Sequence, residues 1–599
     1  MAYSSLQQAV QDLDKKGKLI RIKEEVDPDL EMAAIHRMVF EAGDKAVFFE
    51  KVKGSNFPAV SNLFGNLENS KFLLRHNWDG VQQLVKLKSD PTLAMKKPLK
   101  YKKALKSAMK MRPKEVSASS LDFKEIQISD LPAIKSWPMD GGRFITLPQV
   151  YSENLRDEKP ANGNLGMYRI QLDGNDYKLN EEIGMHYQIH RGIGVHHTIA
   201  KQEGQDLKVS IFVGGPPAHT LAAVMPLPEG LSELMFAGAM TGRRFRYAYA
   251  DGYLISADAD FVICGTIQND LKPEGPFGDH LGYYSLQHEF PYLKVEKVLA
   301  KPKAIWPFTV VGRPPAEDSQ FGALIHEITG DAIQDELPGV HAVHAVDEAG
   351  VHPLLLAMGS ERYTPYQKNN PPMELLTQAN HILGFGQLSL AKYLFILDKA
   401  SAPEVDIHDA EAFIAAVLER IQLDRDLHFQ TQTTIDTLDY SGESVNKGSK
   451  LVIAARGEPV RKLGKKIDLK LSMDHAVISR GILAIAIGEF IDYTFALEQI
   501  DALRIVLEGK DLSAFPLIVL CDDVNFLSED YKNFLWQAFT RSNPSHDIYG
   551  MREKYKHKHW ICEGNILMDV RKKPHHAPDL VVDAEVEKLA IAKVKRATG

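Results

Sequence analysis

The sequence predicts a mixed α/β (α+β) protein of three parts: a small N-terminal α/β region, a mainly β central region and a C-terminal α/β region. The chain has 599 residues, which at roughly 150 residues per domain indicates several folding units. Apolar residues make up 44% and charged residues 25%, as in soluble globular proteins. Strand-like runs dominate between residues 125 and 315, and strands alternate with helices on either side.

The first 80 residues predict a small α/β unit. Ser5 precedes apolar residues spaced three to four apart, a pattern that predicts a capped amphipathic helix over residues 5–13. Alternating or apolar runs then predict strands over residues 18–22, 46–50 and 59–63.

A basic segment follows. Between residues 86 and 114, eleven Lys or Arg residues stand against one acid, Asp90. We interpret this segment as a solvated helix and linker, with an anion-binding patch as the alternative. A single aromatic residue, Tyr101, stands among the lysines, which argues against repeated stacking on nucleic acid bases.

The central and C-terminal regions differ in their predicted secondary structure. Runs at residues 168–172, 208–213, 261–264 and 306–311, separated by Gly/Pro turns, predict a β-barrel or compact sandwich with one helix over residues 231–240. Beyond residue 315 a strand–acid–helix unit occurs twice, as strands 392–398 and 516–523 followed by helices 410–421 and 529–539. Either a duplication or chance explains this repeat.

Charge and cysteine content narrow the function class. The 71 basic and 79 acidic residues give a net charge of −8, so nothing global attracts nucleic acid. Three scattered cysteines fit a reducing compartment and exclude a cysteine-built zinc site. The N-terminus lacks signal-peptide features, and the longest apolar stretch is too short to cross a bilayer. We expect a cytoplasmic protein with no membrane span.

The richest polar stretch begins at Asn164 and continues through His186, His190 and a His196-His197 pair. Amide, imidazole and carboxylate groups together suit Mn²⁺ or Mg²⁺ better than a thiol-loving metal. From spacing alone, histidines in such a pattern are more often ordinary strand and loop residues than metal ligands.

Two further stretches carry acids. Glu233 lies in the first turn of the predicted helix, where an acid also stabilises the helix dipole. Glu274 and Asp279 are five residues apart on a loop shaped by glycine and proline, which positions them for acid–base work. His280 belongs to the same loop.

These stretches resemble the UbiD family of decarboxylases, which use prenylated FMN. The matching motifs are Asn164-Leu-Gly-Met-Tyr-Arg169, Met225-Pro-x-Pro-Glu-Gly-x-Ser-Glu233 and Glu274-Gly-Pro-Phe-Gly-Asp279, with Gly312-Arg-Pro-Pro315 and Cys521-Asp-Asp-Val-Asn525 in addition.

The resemblance implies specific roles. Asn164, His190 and Glu233 match ligands of a divalent metal, usually Mn²⁺, with K⁺ nearby sharing Glu233. His190 is preferred to His186 because Arg191-Gly192 follows it. Arg169, Glu274 and Asp279 match the catalytic network, in which Arg169 orients the substrate carboxylate and Asp279 acts as the general acid. The implied cofactor-binding residues are Asn164, Gly166, Met167, Tyr168, Arg169, His190, Met225 and Pro226.

The resemblance also implies an architecture and a reaction. We expect an N-terminal domain over residues 1–124, a split β-barrel flavin-binding domain over 125–320 and an enlarged oligomerisation domain over 321–599. The surplus length is expected in the C-terminal region, with the 392–426 unit as the extension. The implied reaction is reversible non-oxidative decarboxylation of an aromatic or α,β-unsaturated acid, which releases CO₂. The acid itself and the physiological direction stay open.

We expect a homodimer or larger homo-oligomer, with a flavin prenyltransferase supplying the cofactor. A flavin oxidoreductase is one rival, although no complete dinucleotide fingerprint is present. A non-catalytic subunit of a multi-component aromatic carboxylase is a second rival. Such a subunit would not need Arg169, Glu274 and Asp279, so the presence of all three favours catalysis.

Overall fold

The structure is a computed structural model that describes residues 2–43, 45–89, 92–187, 192–225, 227, 232–329, 336–363, 366, 371–442 and 444–598. The chain divides into two compact units. The first contains residues 1–330 and 579–599, and the second contains residues 331–578. The predicted domain boundaries at 124 and 320 stay predictions.

The N-terminal region is the predicted α/β unit. Its four-stranded sheet has the order β1-β2-β3-β18. The strands are β1 (Leu19–Val26), β2 (Ala46–Val52), β3 (Ala59–Ser61) and β18 (Trp306–Phe308), and helices α1 (Leu6–Lys15) and α2 (Glu31–Ala42) accompany them. Ser5 caps α1 by accepting from the N–H of Gln8, as the sequence predicts.

The last helix of the chain, Ala584–Thr598, belongs to the first unit. It packs on α2 and β1, with the Lys593 ammonium 2.6 Å from the Glu31 carboxylate.

The basic segment is helical and lies between the N-terminal sheet and the barrel in the chain. Helix α3 (Leu67–Leu74) precedes the segment, α4 (Trp78–Ser89) ends in it, and α5 (Thr92–Lys96) and α6 (Lys102–Met111) lie within it.

The central region is a curled half-barrel, confirming the predicted split barrel. Its nine-stranded sheet has the order β6-β9-β10-β17-β14-β11-β7-β8, with β5 beside β17. The strands are β5 (Lys124–Glu125), β6 (Phe144–Ile145), β7 (Gln149–Ser152), β8 (Asn164–Gly166), β9 (Ile170–Gln171), β10 (Glu182–Met185), β11 (Leu207–Val213), β14 (Phe261–Glu274) and β17 (His288–Ala300).

Smaller elements surround this sheet. They are β4 (Lys114–Glu115), β12 (Arg246–Ala250), β13 (Tyr253–Ser256), β15 (Phe277–Gly278), β16 (Tyr284–Ser285), α7 (Gly192–Gln202), α8 (Pro217–Val224), α9 (Glu233–Thr241) and α10 (Gln320–Thr329). Along β11, Val209, Ile211 and Val213 enter one apolar cluster and Phe212 enters another, so both faces of the sheet are buried.

Two strands differ in length from their predictions. The run predicted over 168–172 forms a strand only at Ile170–Gln171, because Tyr168 and Arg169 leave the sheet. The run predicted over 261–264 continues to Glu274, with irregular register after Cys264 and Ile267. Such bulges bend a long strand and allow it to follow the curl of the sheet.

The second unit contains two five-stranded sheets. The first is built from β19 (Ala342–Ala345), β20 (Leu354–Gly359), β21 (Tyr393–Asp398), β22 (Leu427–Thr433) and β23 (Gly448–Ala455). The second is built from β24 (His475–Ser479), β25 (Ile482–Ala486), β26 (Leu517–Cys521), β27 (Ile548–Lys556) and β28 (His559–Asp569). The helices are α11 (Met373–Leu383), α12 (Ala410–Arg420), α13 (Tyr493–Leu507), α14 (Val524–Glu529), α15 (Tyr531–Arg541) and α16 (Pro544–Asp547).

The two sheets have the same topology. Their orders are β19-β20-β21-β23-β22 and β24-β25-β26-β28-β27. In each, the three central strands are parallel and the two edge strands are antiparallel. Strands β21 and β26, which the sequence repeat pairs, occupy equivalent positions. This correspondence is what an internal duplication would leave.

A buried ion pair lies at the start of β21. The Lys392 ammonium is 2.8 Å from the Asp439 carboxylate and donates to the Ser441 hydroxyl (2.6 Å) and the Ser542 carbonyl (2.8 Å). Lys392 and Asp439 are both buried. Each charge therefore depends on the other, since an unpaired charge in this interior would be costly.

Within the described ranges, no helix combines the length and apolar character needed to cross a bilayer.

Candidate active site

The segment from Asn164 to Arg169 consists of strand β8 and a short link, Met167 to Arg169, that leaves the central sheet before β9. The Asn164 side-chain amide donates to the Tyr168 hydroxyl, with Nδ2 and Oη 3.2 Å apart. A Cβ at Gly166 would lie 2.2 Å from the Tyr168 ring, so only glycine allows the ring to fold back here. The segment thereby brings Asn164 and Arg169 into one region of the first unit.

The second segment begins where β14 ends at Glu274. Gly275 has φ +88°, a conformation that favours glycine, and the chain turns sharply after the strand. The Asp279 N–H donates to the Tyr283 carbonyl and the Gly282 N–H donates to the Asp279 carbonyl, both at 2.9 Å. This closed turn fixes the Asp279 backbone, as the glycine- and proline-rich sequence predicts.

Arg169 joins the two segments in a buried network. Its Nε and Nη2 donate to the two oxygens of Glu274 at 2.9 and 2.8 Å, and Nη1 donates to Asp279 Oδ2. Nη2 also donates to the Ser285 hydroxyl at 2.9 Å and lies 3.1 Å from His186 Nδ1. Glu274 has no solvent exposure. The bidentate pair therefore holds the guanidinium in one orientation.

The network holds both acids ionised. Burial by itself would raise the pKa of Glu274, but the Arg169 charge and the His186 hydrogen bond lower it to about 2. Burial would likewise raise the pKa of Asp279, but hydrogen bonds from His280 and the charge of Arg169 hold it well below its usual range. Burial and the Arg169 charge lower the pKa of His186, which favours the neutral imidazole.

His280 and Asp318 extend the network beyond Asp279. The backbone N–H of His280 and its ring Nδ1 lie 2.7 and 2.8 Å from Asp279 Oδ1. Burial raises the pKa of Asp318 to about 7; the His280 charge opposes this rise and the Asp279 charge adds to it. The Asp318 Oδ1 is buried and has no hydrogen-bond partner among the described residues. The three side chains are therefore electrostatically coupled.

A second cluster contains two of the predicted metal ligands. Glu233 begins α9, and its Oε2 accepts from the Leu165 N–H at 3.0 Å, next to Asn164. Burial raises the pKa of Glu233. A Cβ at Gly192, the first residue of α7, would lie 2.3 Å from Asn164 Oδ1, so the start of α7 abuts that amide. His190 lies outside the described residues.

The remaining cofactor candidates lie near the end of α8. The Met167 N–H donates to the Ala223 carbonyl at 2.9 Å, and Met225 is buried directly after the helix. Pro226 lies outside the described residues.

The structure therefore unites Arg169, Glu274 and Asp279 and places Asn164 near Glu233. It adds His186, Ser285 and Asp318, to which the sequence assigned no role. In the sequence, His186 is only the less favoured of two candidate metal ligands. Its spacing from Glu274 along the chain carried no signal, because the contact is made across the folded sheet.

Comparison with known proteins identifies the family. Three family models match: the 3-octaprenyl-4-hydroxybenzoate carboxy-lyase (UbiD) N-terminal domain at residues 10–88, its Rift-related domain at 109–314 and its C-terminal domain at 319–455. The 392–426 unit lies inside the C-terminal match, so our expectation that this unit is the extension is wrong. The second sheet follows the matched range.

Individual proteins agree with this assignment. A Chlamydia pneumoniae protein, named as a subunit of 4-hydroxybenzoate decarboxylase, is 35% identical over 578 residues, with 94% of each chain covered. The vanillic acid decarboxylase of Sedimentibacter hydroxybenzoicus, in closed form, has a TM-score of 0.64 at 21% identity, covering 85% of this chain and all of that chain.

A further solved structure is an evolved dimeric form of the UbiD-class enzyme HmfF from Pelotomaculum thermopropionicum in complex with prFMN. It has a TM-score of 0.58 at 21% identity and covers 78% of this chain and 99% of that chain. Sequence identity and matched length together show that the chain belongs to the UbiD family of carboxy-lyases.

Proposed function

We propose that this enzyme catalyses reversible, non-oxidative decarboxylation of an aromatic or α,β-unsaturated carboxylic acid with prenylated FMN. The observation that carries the proposal is the Arg169–Glu274–Asp279 network, which presents a fixed guanidinium and a carboxyl group in a buried region. The flavin complex of HmfF and the aromatic acid in the chlamydial relative's name support the cofactor and the substrate class.

The donor set next to Asn164 suits a divalent cation. Glu233 is a largely buried carboxylate that accepts from a backbone N–H and forms no ion pair with any described residue. A buried carboxylate of this kind is stabilised by a bound cation. Asn164 and Glu233, with His190, would hold Mn²⁺ or Mg²⁺ against the cofactor phosphate, and K⁺ would share Glu233.

In the proposed reaction Arg169 binds the substrate carboxylate, while Glu274 keeps the guanidinium in place. Prenylated FMN, when bound, supplies the sink for the electron pair released as the C–C bond to CO₂ breaks. The burial of Glu274 and Asp279 limits access of water to the reacting carbon. Asp279 then donates a proton to the carbon that has lost CO₂.

Substrate binding must change the protonation of Asp279. The substrate carboxylate competes with Asp279 for Arg169 Nη1 and adds a second negative charge to the cluster. Both effects raise the pKa of Asp279 from its low value in the free enzyme. Binding of the substrate carboxylate to Arg169 thus favours the protonated form of Asp279, which can then act as the general acid.

We therefore expect the binding of a substrate-like aromatic carboxylate to take up about one proton per site. The affinity should fall as pH rises, until the pH exceeds the pKa of Asp279 in the complex. Titration calorimetry in buffers of different ionisation enthalpy measures this uptake. Asp279→Asn should bind without uptake; an unchanged uptake in this variant would assign the proton to another group.

A second prediction concerns the cation site. Gly192→Ala places a methyl group against Asn164 Oδ1 and should weaken manganese binding by roughly 10- to 100-fold. Elemental analysis and electron paramagnetic resonance of the purified protein measure the bound metal. Gly194→Ala is the matched control, because its nearest neighbour would be the Tyr187 ring at 3.8 Å. If Gly192→Ala binds as much manganese as the control does, Asn164 is not a metal ligand.

The proposed function is tested by producing the protein with and without a flavin prenyltransferase. We expect a modified-flavin absorption spectrum only after co-production, together with exchange of ring protons for deuterium in a panel of aromatic acids. The absence of exchange and of CO₂ release in both preparations would contradict the proposal. Exchange with unmodified FMN alone would contradict the cofactor assignment.

The resemblance to the UbiD family also supports a proposal for the assembly and the source of the cofactor. We expect a cytoplasmic homodimer or larger homo-oligomer that receives its cofactor from a flavin prenyltransferase. Light scattering of the purified protein measures the assembly.

A further inference from the structure

Helix α6 has one buried face. Tyr101, Ala104 and Ser107 are buried where the helix meets α4 and α9. A Cβ at Gly80 in α4 would lie 2.3 Å from the Ser107 hydroxyl, and one at Gly238 in α9 would lie 2.3 Å from the Lys110 carbonyl. Small residues thus allow close packing, and the orientation of α6 in the first unit is determined by this face.

The opposite face presents large apolar side chains to solvent. Leu105 and Met109, one helical turn apart, are 67% and 64% exposed. In the preceding segment Met95 and Leu99 are 79% and 84% exposed. Four large, flexible apolar side chains within fifteen residues of sequence are more than the scattered exposure usual on a protein surface.

Exposed lysines alternate with these apolar residues along the chain. Lys96, Lys97, Lys100, Lys102, Lys103 and Lys106 are all exposed. Lys103 pairs with Asp79. The chain as a whole carries a net charge of −8, so attraction to a negatively charged partner requires a local cluster of positive charge such as this one. We call Met95, Leu99, Lys102, Leu105, Lys106 and Met109 the lysine–apolar face.

The composition of the lysine–apolar face favours a lipid bilayer over nucleic acid as its anionic partner. Nucleic acid would favour aromatic stacking, but Tyr101, the aromatic residue of this segment, is buried. Apolar tips interleaved with lysine ammonium groups match a bilayer surface, where the apolar tips enter the acyl boundary and the ammonium groups meet lipid phosphates. We propose that the lysine–apolar face binds peripherally to the surface of an anionic lipid bilayer.

The test uses the full-length protein and flotation with vesicles of phosphatidylcholine, with or without phosphatidylglycerol. The wild-type protein should float with the anionic vesicles only, and added salt should release it. Leu105→Ser with Met109→Ser should weaken binding roughly tenfold or more, and so should Lys102→Gln with Lys106→Gln.

Matched controls test the specificity of this surface. Ile505→Ser with Val506→Ser removes exposed apolar residues elsewhere, and Lys556→Gln with Lys558→Gln removes exposed lysines elsewhere. Both control pairs should bind like the wild type. Circular dichroism and the melting temperature verify that each variant is folded.

Three outcomes would overturn the proposal: no binding of the wild type to anionic vesicles, equal binding to neutral vesicles, or equal losses in test and control pairs. Binding through the same residues to duplex DNA or polyglutamate, but not to vesicles, would identify a soluble polyanion as the partner and would also overturn it.

Discussion

Glu274→Gln is expected to lower the rate of decarboxylation and of deuterium exchange by roughly a thousandfold. Glutamine has nearly the same volume, but its amide nitrogen would face a donor of Arg169 where a carboxylate oxygen now accepts. The guanidinium would lose its bidentate partner and its orientation. Arg169 would also be drawn toward Asp279, which competes with the substrate carboxylate.

The flavin spectrum separates this effect from a loss of cofactor. We expect Glu274→Gln to retain the bound flavin, because Glu274 contacts Arg169 and His186 rather than Asn164 or Glu233. Glu182→Gln is the matched control, since Glu182 pairs with Lys272 outside this network. A fully active Glu274→Gln variant, or one that has lost its flavin, would show that Glu274 has a different role.

Lys392→Met is expected to lower the free energy of unfolding of the second unit by about 3–5 kcal/mol, because it leaves the Asp439 carboxylate buried without its cation. For a unit of this size the melting temperature should fall by roughly 10 °C. Adding Asp439→Asn should recover part of the loss, since the uncompensated charge is then gone. Differential scanning calorimetry of the single and double variants measures both effects.

Lys450→Met is the control for this variant. Lys450 is also buried, but its ammonium donates to the carbonyls of Ser389 and Ala391, both at 2.6 Å. Its removal leaves neutral carbonyls unsatisfied and should cost about 1–3 kcal/mol. Equal losses in both variants would mean that burial of the lysine, rather than pairing with Asp439, determines the stability.

Helices and strands that are specified by neighbouring residues, such as a capping residue or apolar spacing, could be predicted from the sequence. The N-terminal helix follows from Ser5 and from apolar residues spaced three to four apart, and α1 begins at Leu6. The helix predicted over 529–539 begins instead at Tyr531, because Asp530 is extended and caps it by accepting from the Lys532 N–H. Strand β14 exceeds its prediction, because its end is stabilised by pairing with β17 rather than by its own sequence pattern.

The catalytic candidates were predictable as a set because motif resemblance carries residue identity without requiring the fold. Arg169 and Glu274 are 105 positions apart, and neither residue alone indicates the other. The coupling of Asp279 to His280 follows from adjacency in one loop. The involvement of His186, Ser285 and Asp318 does not, since each reaches the network through tertiary packing.

The sequence by itself determined the family and the mixed α/β class, and its motifs named Arg169, Glu274 and Asp279 as the catalytic candidates. Only the tertiary structure decided the protonation of the two acids. The pKa of a carboxyl group depends on its burial and on charges within a few ångströms. Arg169 and His280 together outweigh the burial of Asp279, and this balance exists only after the strands have brought the charges together.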